Sequence, residues 1–173
     1  MKVLVVDDEE DILTVIRSIF EDAFPDLSVV TAQDGEGALS RVREGDVNLV
    51  VSDLLMPGLD GEGLLDAIQR ENPLIPVVMM SAHGTIDKAV ALVRQGARDF
   101  ITKPFRNDDF VHRITLALET LRLKQELRSV RQELAAERRS GRIIFSSRSM
   151  ESLLARSQMA VSYTHLRAHE TKA

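Results

Sequence analysis

Cysteine is absent from the 173 residues. That excludes a disulfide framework and a thiolate metal site, and it fits a reducing cytoplasm, where we expect the protein to work. No apolar run approaches the ~20 residues a membrane span needs, so no membrane association is expected. The chain enters an apolar stretch at once, Lys2 to Val6, so no signal peptide is expected. Glycine-rich phosphate loops are missing too. Gly35-Glu36-Gly37 is too short for a dinucleotide fingerprint, and no Walker A sequence occurs, so ATP binding by that route is excluded for this chain. Positive charge is scarce where the chain is most regular. Residues 1–120 hold 11 Lys/Arg against 22 Asp/Glu, a poor composition for contacting nucleic acid. Residues 121–148 reverse the sign, with 8 basic and 3 acidic residues. That stretch reads as a solvated helix face, with a phosphate-contacting arm as the alternative.

What is present is an alternation. Lys2–Val6, Leu27–Val30, Asn48–Asp53, Pro76–Met80 and Asp99–Thr102 are short apolar runs of strand length. Between them lie segments of helical spacing. The first starts at Asp11 with Ile12, Val15, Ile16, Ile19 and Phe20, and ends at Pro25. The second runs from Gly35 to near Gly45, with Ala38, Leu39 and Val42 inward. The third runs from Gly61 to Arg70, with Leu64, Leu65 and Ile68 inward. The fourth runs from Thr85 to Gln95 and is closed by Gly96. The fifth opens near Asp108. Five strand–helix alternations predict an α/β fold with a doubly wound parallel sheet and right-handed crossovers.

Four strand ends carry polar residues: Asp7-Asp8, Asp53, Ser81 and Lys103. A parallel sheet lines all of these ends along one edge, where open α/β sheets place their ligands. Clustered carboxylates repel and raise each other's pKa, and a hard divalent cation relieves that. Mg²⁺ commonly takes one or two carboxylates and completes its shell with waters and a phosphate. Asp53 ends the central strand, just before the Pro57-Gly58 turn, and could attack phosphorus as a nucleophile. A transferred phosphoryl group spreads charge over three oxygens. Mg²⁺ on Asp8 and Asp53 would meet one, the Lys103 ammonium a second, and the Ser81 hydroxyl with backbone N–H groups a third.

With these residues in place, the first 118 residues resemble the receiver domain of two-component response regulators. The stretches that carry the likeness are Val3-Leu4-Val5-Val6-Asp7-Asp8-Glu9, Val51-Ser52-Asp53-Leu54-Leu55-Met56-Pro57, Met80-Ser81-Ala82 and Lys103-Pro104-Phe105. The resemblance implies a flavodoxin-like (βα)5 fold with strand order 2-1-3-4-5. It implies phosphorylation of Asp53 by a sensor histidine kinase, and Mg²⁺ on Asp8, Asp53 and the Leu55 carbonyl, with Asp7 in the outer shell. It also implies a cis peptide before Pro104, and a switch in which Ser81 moves onto the phosphate and Phe100 turns inward. Residues 81–85 and 96–105 are more narrowly similar to NtrC-type receivers, which precede an ATPase that activates sigma-54-dependent transcription. Leu55 and His83 flank the mouth of the site and could gate hydrolytic water. His112, His165 and His169 read as structural or surface residues.

The last helix should not stop with the domain. Val111, Ile114, Leu118 and Leu121 can face the sheet. A second seam follows at seven-residue steps: Leu116, Leu123 and Val130, with Thr120, Leu127 and Leu134 four residues after each. We expect one extended C-terminal helix over about 107–138, protruding from the domain and pairing as a parallel homodimer. Residues 141–160 resemble the entry into a truncated AAA+ output domain. Residues 161–173 resemble translated adapter sequence and are expected to be non-native. The leading expectation is therefore a phosphoacceptor module rather than an enzyme with turnover. The alternatives are a Mg²⁺-dependent aspartate-nucleophile phosphatase and a stand-alone receiver with no output domain. The phosphatase pattern wants an acid two residues after the nucleophile, where this chain has Leu55.

Overall fold

A computed structural model describes residues 1–82 and 85–139, except for the side chains of 124, 134 and 136–139. His83, the 141–160 stretch and the 161–173 tail lie outside the described residues. The elements in order are β1 (Lys2–Val6), α1 (Glu10–Ala23), β2 (Ser28–Ala32), α2 (Gly35–Arg43), β3 (Val47–Asp53), α3 (Gly61–Glu71), β4 (Val77–Ser81), α4 (Ile86–Arg94), β5 (Asp99–Thr102) and α5 (Asn107–Arg139). The strands form one sheet in the order β2-β1-β3-β4-β5, and every pairing is parallel. This is the doubly wound parallel sheet expected from the alternation, in the flavodoxin-like strand order that the resemblance implies. Residues Met1–Glu126 make one compact unit.

Local chemistry sets most boundaries. Asp34 and Asp60 cap α2 and α3 by accepting from the N–H of Gly37 and Gly63, and Thr85 caps α4 by accepting from the N–H of Lys88. Two acids, Glu10 and Asp11, occupy the first turn of α1, where the helix dipole favours them. The Pro57-Gly58 turn uses a positive φ of 76° at Gly58.

The side-chain alternation of each strand divides the core in two. Val3, Val5, Leu49, Val51, Val78, Met80 and Ile101 face α1 and α5. Leu4, Val6, Val50, Val77, Met79 and Phe100 face α2, α3 and α4. Phe110 anchors α5 by meeting Phe20 of α1 edge-on at 5.6 Å and stacking on Phe105 at 5.0 Å.

Some inward faces differ from those expected. In α1, Leu13 is buried and Val15 is 53% exposed. The apolar residues of α1 satisfy two overlapping stripes, and the sheet selects the one through Leu13, Ile16 and Phe20. In α5 the expected Ile114 and Leu121 are buried and Val111 and Leu118 pack half-buried against the core, with Phe110 and Ala117 completing the inward face. Helix α4 differs most from α3. α3 buries Leu64, Leu65 and Ile68 besides Gly61, whereas α4 buries Leu92 alone. Polar ties hold α4 to its neighbour: Glu62 of α3 accepts from Lys88 at 2.5 Å and from Gln95 at 2.9 Å.

Candidate functional site

Strand register builds the site. Val6 pairs with Ser52, so Asp7 and Asp53, the next residues of β1 and β3, come level on adjacent strands. These two strands flank the point where strand order reverses, the usual position for a ligand crevice. On the other side, Ser81 pairs with Thr102, which places Lys103 one residue past the edge of β5. The Lys103 N–H donates to the Ser81 carbonyl at 2.8 Å, and the Lys103–Pro104 peptide is cis. The Lys103 side chain thus returns over the edge. Its Nζ stands 2.6 Å from Asp7 Oδ2 and 2.6 Å from Asp53 Oδ1.

All three groups are withdrawn from water. Asp7 is fully buried, and the side chains of Asp53 and Lys103 are about a tenth exposed. The second oxygen of Asp53 accepts from the Leu55 N–H at 2.8 Å, and Asp7 Oδ1 accepts from the Glu9 N–H at 3.1 Å. Burial pushes the Asp7 carboxyl up, and the hydrogen bond from Lys103 only partly offsets it. The Asp53 charge contributes least to this rise. Desolvation is therefore the main cause, and the repulsion from Asp53 expected from clustering adds to it. Burial also works against the Lys103 charge, but hydrogen bonds to Asp53 and Asp7 outweigh it and hold its pKa above the ordinary lysine value. The ammonium is thus fixed in the charged form between two acids.

The other expected residues are placed as follows. Ser81 is buried at the end of β4. Asp8 follows Asp7 but is exposed and lies outside the Lys103 ion-pair cluster. Leu55 is 62% exposed, and Phe100 is buried with its N–H donating to Asp99 Oδ1 at 2.8 Å. Leu116, Leu123, Leu127 and Val130 are exposed along α5. The Leu134 side chain lies outside the described residues.

Among the described residues no group of three or more His, Cys, Asp or Glu side chains could hold a metal ion. An ion on Asp8 and Asp53 would need the Leu55 carbonyl, waters or a ligand's oxygens to complete its shell. All of these are hard oxygen donors, a set that suits Mg²⁺ and not a soft transition metal.

Two features beside the site were not read from the sequence. Gly61 opens α3 against the site strand, donating its N–H to the Leu54 carbonyl at 3.0 Å. A Cβ there would lie 2.1 Å from the Asp53 carbonyl oxygen, so only glycine fits. The signal was its place right after the capping Asp60. The second feature links β5 to α5: Arg113 donates to both oxygens of Asp99, and Arg98 donates to Thr120. Its signal, the seven-residue step from Arg113 to Thr120, is visible in the sequence, but the partners are not.

A family model of the response regulator receiver domain matches residues 3–115. The nitrogen assimilation regulatory protein NtrX of Azorhizobium caulinodans is 47% identical over 132 residues, which are 75% of this chain and 29% of that protein. A crystal structure of NtrX from Brucella abortus matches with a TM-score of 0.70 and 37% identity, over 89% of this chain and 33% of that one. The beryllofluoride-activated NtrC4 receiver domain dimer matches with a TM-score of 0.65 and 33% identity, over 69% of this chain and 98% of that one. The chain spans about a third or less of the length of the NtrX proteins it matches. Among the described residues no helix is long and apolar enough to cross a membrane. The chain therefore belongs to the response regulator receiver domain family, as the receiver of a two-component regulator of the NtrX and NtrC type.

Proposed function

We propose that Asp53 accepts a phosphoryl group from the phosphohistidine of a sensor histidine kinase. The observation that carries this reading is the Lys103 ammonium held 2.6 Å from both Asp7 and Asp53 at the sheet edge. An Asp53 oxygen forms the new bond to phosphorus as the donor's P–N bond breaks. The imidazole leaves with the electron pair and takes up a proton. The product is an acyl phosphate on Asp53. Lys103 then meets a phosphoryl oxygen, and the Ser81 hydroxyl meets another. Asp8, Asp53 and the Leu55 carbonyl would hold Mg²⁺, with Asp7 in its outer shell. When bound, the ion neutralises the charge that builds on the phosphoryl oxygens.

Ser81 and Phe100 read the new charge, and α5 carries it onward. Phe100 has no hydroxyl, so its two positions differ by packing alone. The seam through the exposed Leu116, Leu123, Leu127 and Val130, continued in the sequence by Leu134, pairs with a second copy, and phosphorylation shifts that dimer. The domain plan stays as the residues suggested: a receiver over 1–118, a signalling helix over 107–138, the entry to an AAA+ output domain over 141–160 and a non-native tail over 161–173. In a longer parent the output is sigma-54-dependent transcription in the cytoplasm, and this stretch does not touch nucleic acid itself. Leu55, with no acid to protonate a leaving group, stands against a phosphatase that turns over.

Incubation with Mg²⁺ and a small acyl-phosphate donor, followed by mass spectrometry, tests the reading. We expect one adduct on Asp53 that is absent from Asp53→Asn. Rapid donor hydrolysis with no adduct would instead favour the phosphatase.

A further inference from the structure

Along α5 the residues Arg113, Thr120, Leu127 and Leu134 recur every seven positions. They share one stripe of the helix, next to the Leu116, Leu123 and Val130 stripe. The chemistry of the first stripe changes halfway, from Arg and Thr to Leu and Leu. The structure gives the first two residues a use within the receiver. Arg113 donates to the two Asp99 oxygens at 2.9 and 3.0 Å, and Arg98 donates to Thr120 Oγ at 2.7 Å. Both partners belong to the start of β5: Asp99 is its first residue and Arg98 precedes it. Two contacts seven residues apart are about 10 Å apart along a helix axis, and so fix both its rotation and its axial position.

Thr120 is engaged twice, because its hydroxyl also donates to the Leu116 carbonyl at 2.9 Å. A position of the expected dimer seam is thus occupied by the protein's own Arg98, just before β5. On either side of it Leu116 is 44% and Leu123 is 65% exposed. The Arg98 side chain is exposed and makes one polar contact with α5, so it can let go without disturbing the core beneath.

We propose that Arg98 sets where two copies of α5 begin to pair. While Arg98 holds Thr120, pairing starts at Leu123. When it releases, the layer of Leu116 and Thr120 joins the seam and the dimer tightens. This rests on the homodimer reading above. A second copy is the fitting occupant because a heptad seam is self-complementary, offering the same surface from each chain. The device lies one residue from Asp99, which also holds the Phe100 N–H. A shift of β5 at Phe100 would therefore reach the seam through one hydrogen bond.

Sedimentation equilibrium of the full chain tests this with Arg98→Ala, Thr120→Val, Leu116→Ala, the Arg98→Ala/Leu116→Ala double variant and Leu127→Ala. Thr120→Val removes the bond without touching Arg98, and circular dichroism confirms that each variant keeps its helix content. We expect Arg98→Ala and Thr120→Val each to tighten self-association about tenfold, the effect of adding one leucine layer. Leu116→Ala should change little in the wild type and should cancel the gain in Arg98→Ala. Failure of either Arg98→Ala or Thr120→Val to tighten the dimer overturns the inference, as does a gain that survives Leu116→Ala. Leu127→Ala separates this from the reading beneath it. If Leu127→Ala weakens a measurable dimer while Arg98→Ala does nothing, only the Arg98 role falls. If every variant stays monomeric at the highest concentration, the homodimer falls as well.

Discussion

At the sheet edge, Lys103 lies 2.6 Å from both Asp7 and Asp53, with 12% of its side chain exposed. On the helical layer, Arg43 and Glu71 meet at 2.5 Å with 57% and 39% of their side chains exposed. The contact lengths are alike, but the consequences differ. Water around the surface pair already solvates both charges, so their meeting changes little and salt screens it further. At the edge, burial has removed that water. Both acids there depend on the one ammonium, and removing it leaves them uncompensated. The surface pairs tie helices together, whereas the buried cluster holds two acids around one ammonium away from water.

Lys103→Met should have the largest effect on this contrast. It leaves Asp7 and Asp53 buried without a cation, and the unfolding free energy should fall by about 3 kcal/mol near pH 8. Part of that loss should be regained toward pH 5, as Asp7 takes up a proton. Urea titrations at both pH values check this, and equal stability to wild type would refute the dependence of the two acids on Lys103.

Asp7→Asn should act the other way. The folded pKa of Asp7 is raised above its ordinary value of 3.8. Its contribution to stability is therefore complete below that pH and lost as pH rises through the folded pKa. Above that folded pKa the ionised side chain opposes folding, and the neutral amide should raise stability by about 1 kcal/mol. The gap between variant and wild type should widen with pH above 4 and then level off. A gap that narrows would reverse the sign argued for Asp7. At the alkaline end, Lys103 stabilises the fold below its ordinary value of 10.5, and this is lost as pH rises through its higher folded pKa.

Smaller effects belong to the helical layer. Lys88→Ala removes the contact with Glu62 and should cost about 0.5 kcal/mol at low salt. The Glu62 pKa is lowered by hydrogen bonds from Lys88 and Gln95, so that contribution is present above 4.5 and lost as pH falls through the folded pKa. Arg43→Ala should leave the urea midpoint unchanged within error, and any residue should vanish in 0.5 M salt. A large, salt-insensitive loss at either position would erase the distinction between edge and layer.

The residues of the edge cluster were legible because each ends its own apolar run. Asp7, Asp53, Ser81 and Lys103 stand where a parallel sheet must place them, and no long-range information is needed to find them. What could not be read was which acid Lys103 would face. Asp7 and Asp8 are neighbours in sequence with the same chemistry, yet one is fully buried against the ammonium and the other is exposed. The register of β1 on β3 decides that. The same limit applies to α1, where Val15 and Leu13 are equally apolar and only contact with the sheet separates them. It applies to Thr120, which fits a heptad seam by spacing and is nonetheless held by Arg98.

By itself the sequence determined the order and kind of the elements and the residues at each strand end. Periodicity, caps and turn residues act over a few positions, so their outcome is written locally. Tertiary structure alone decided the depth at which each charge sits, the carboxylate that Lys103 neutralises and the part of α5 that the receiver keeps for itself. Burial and electrostatics sum over neighbours that are far apart in the chain. Asp7 and Lys103, 96 positions apart, acquire their shifted proton affinities only when the sheet brings them to 2.6 Å.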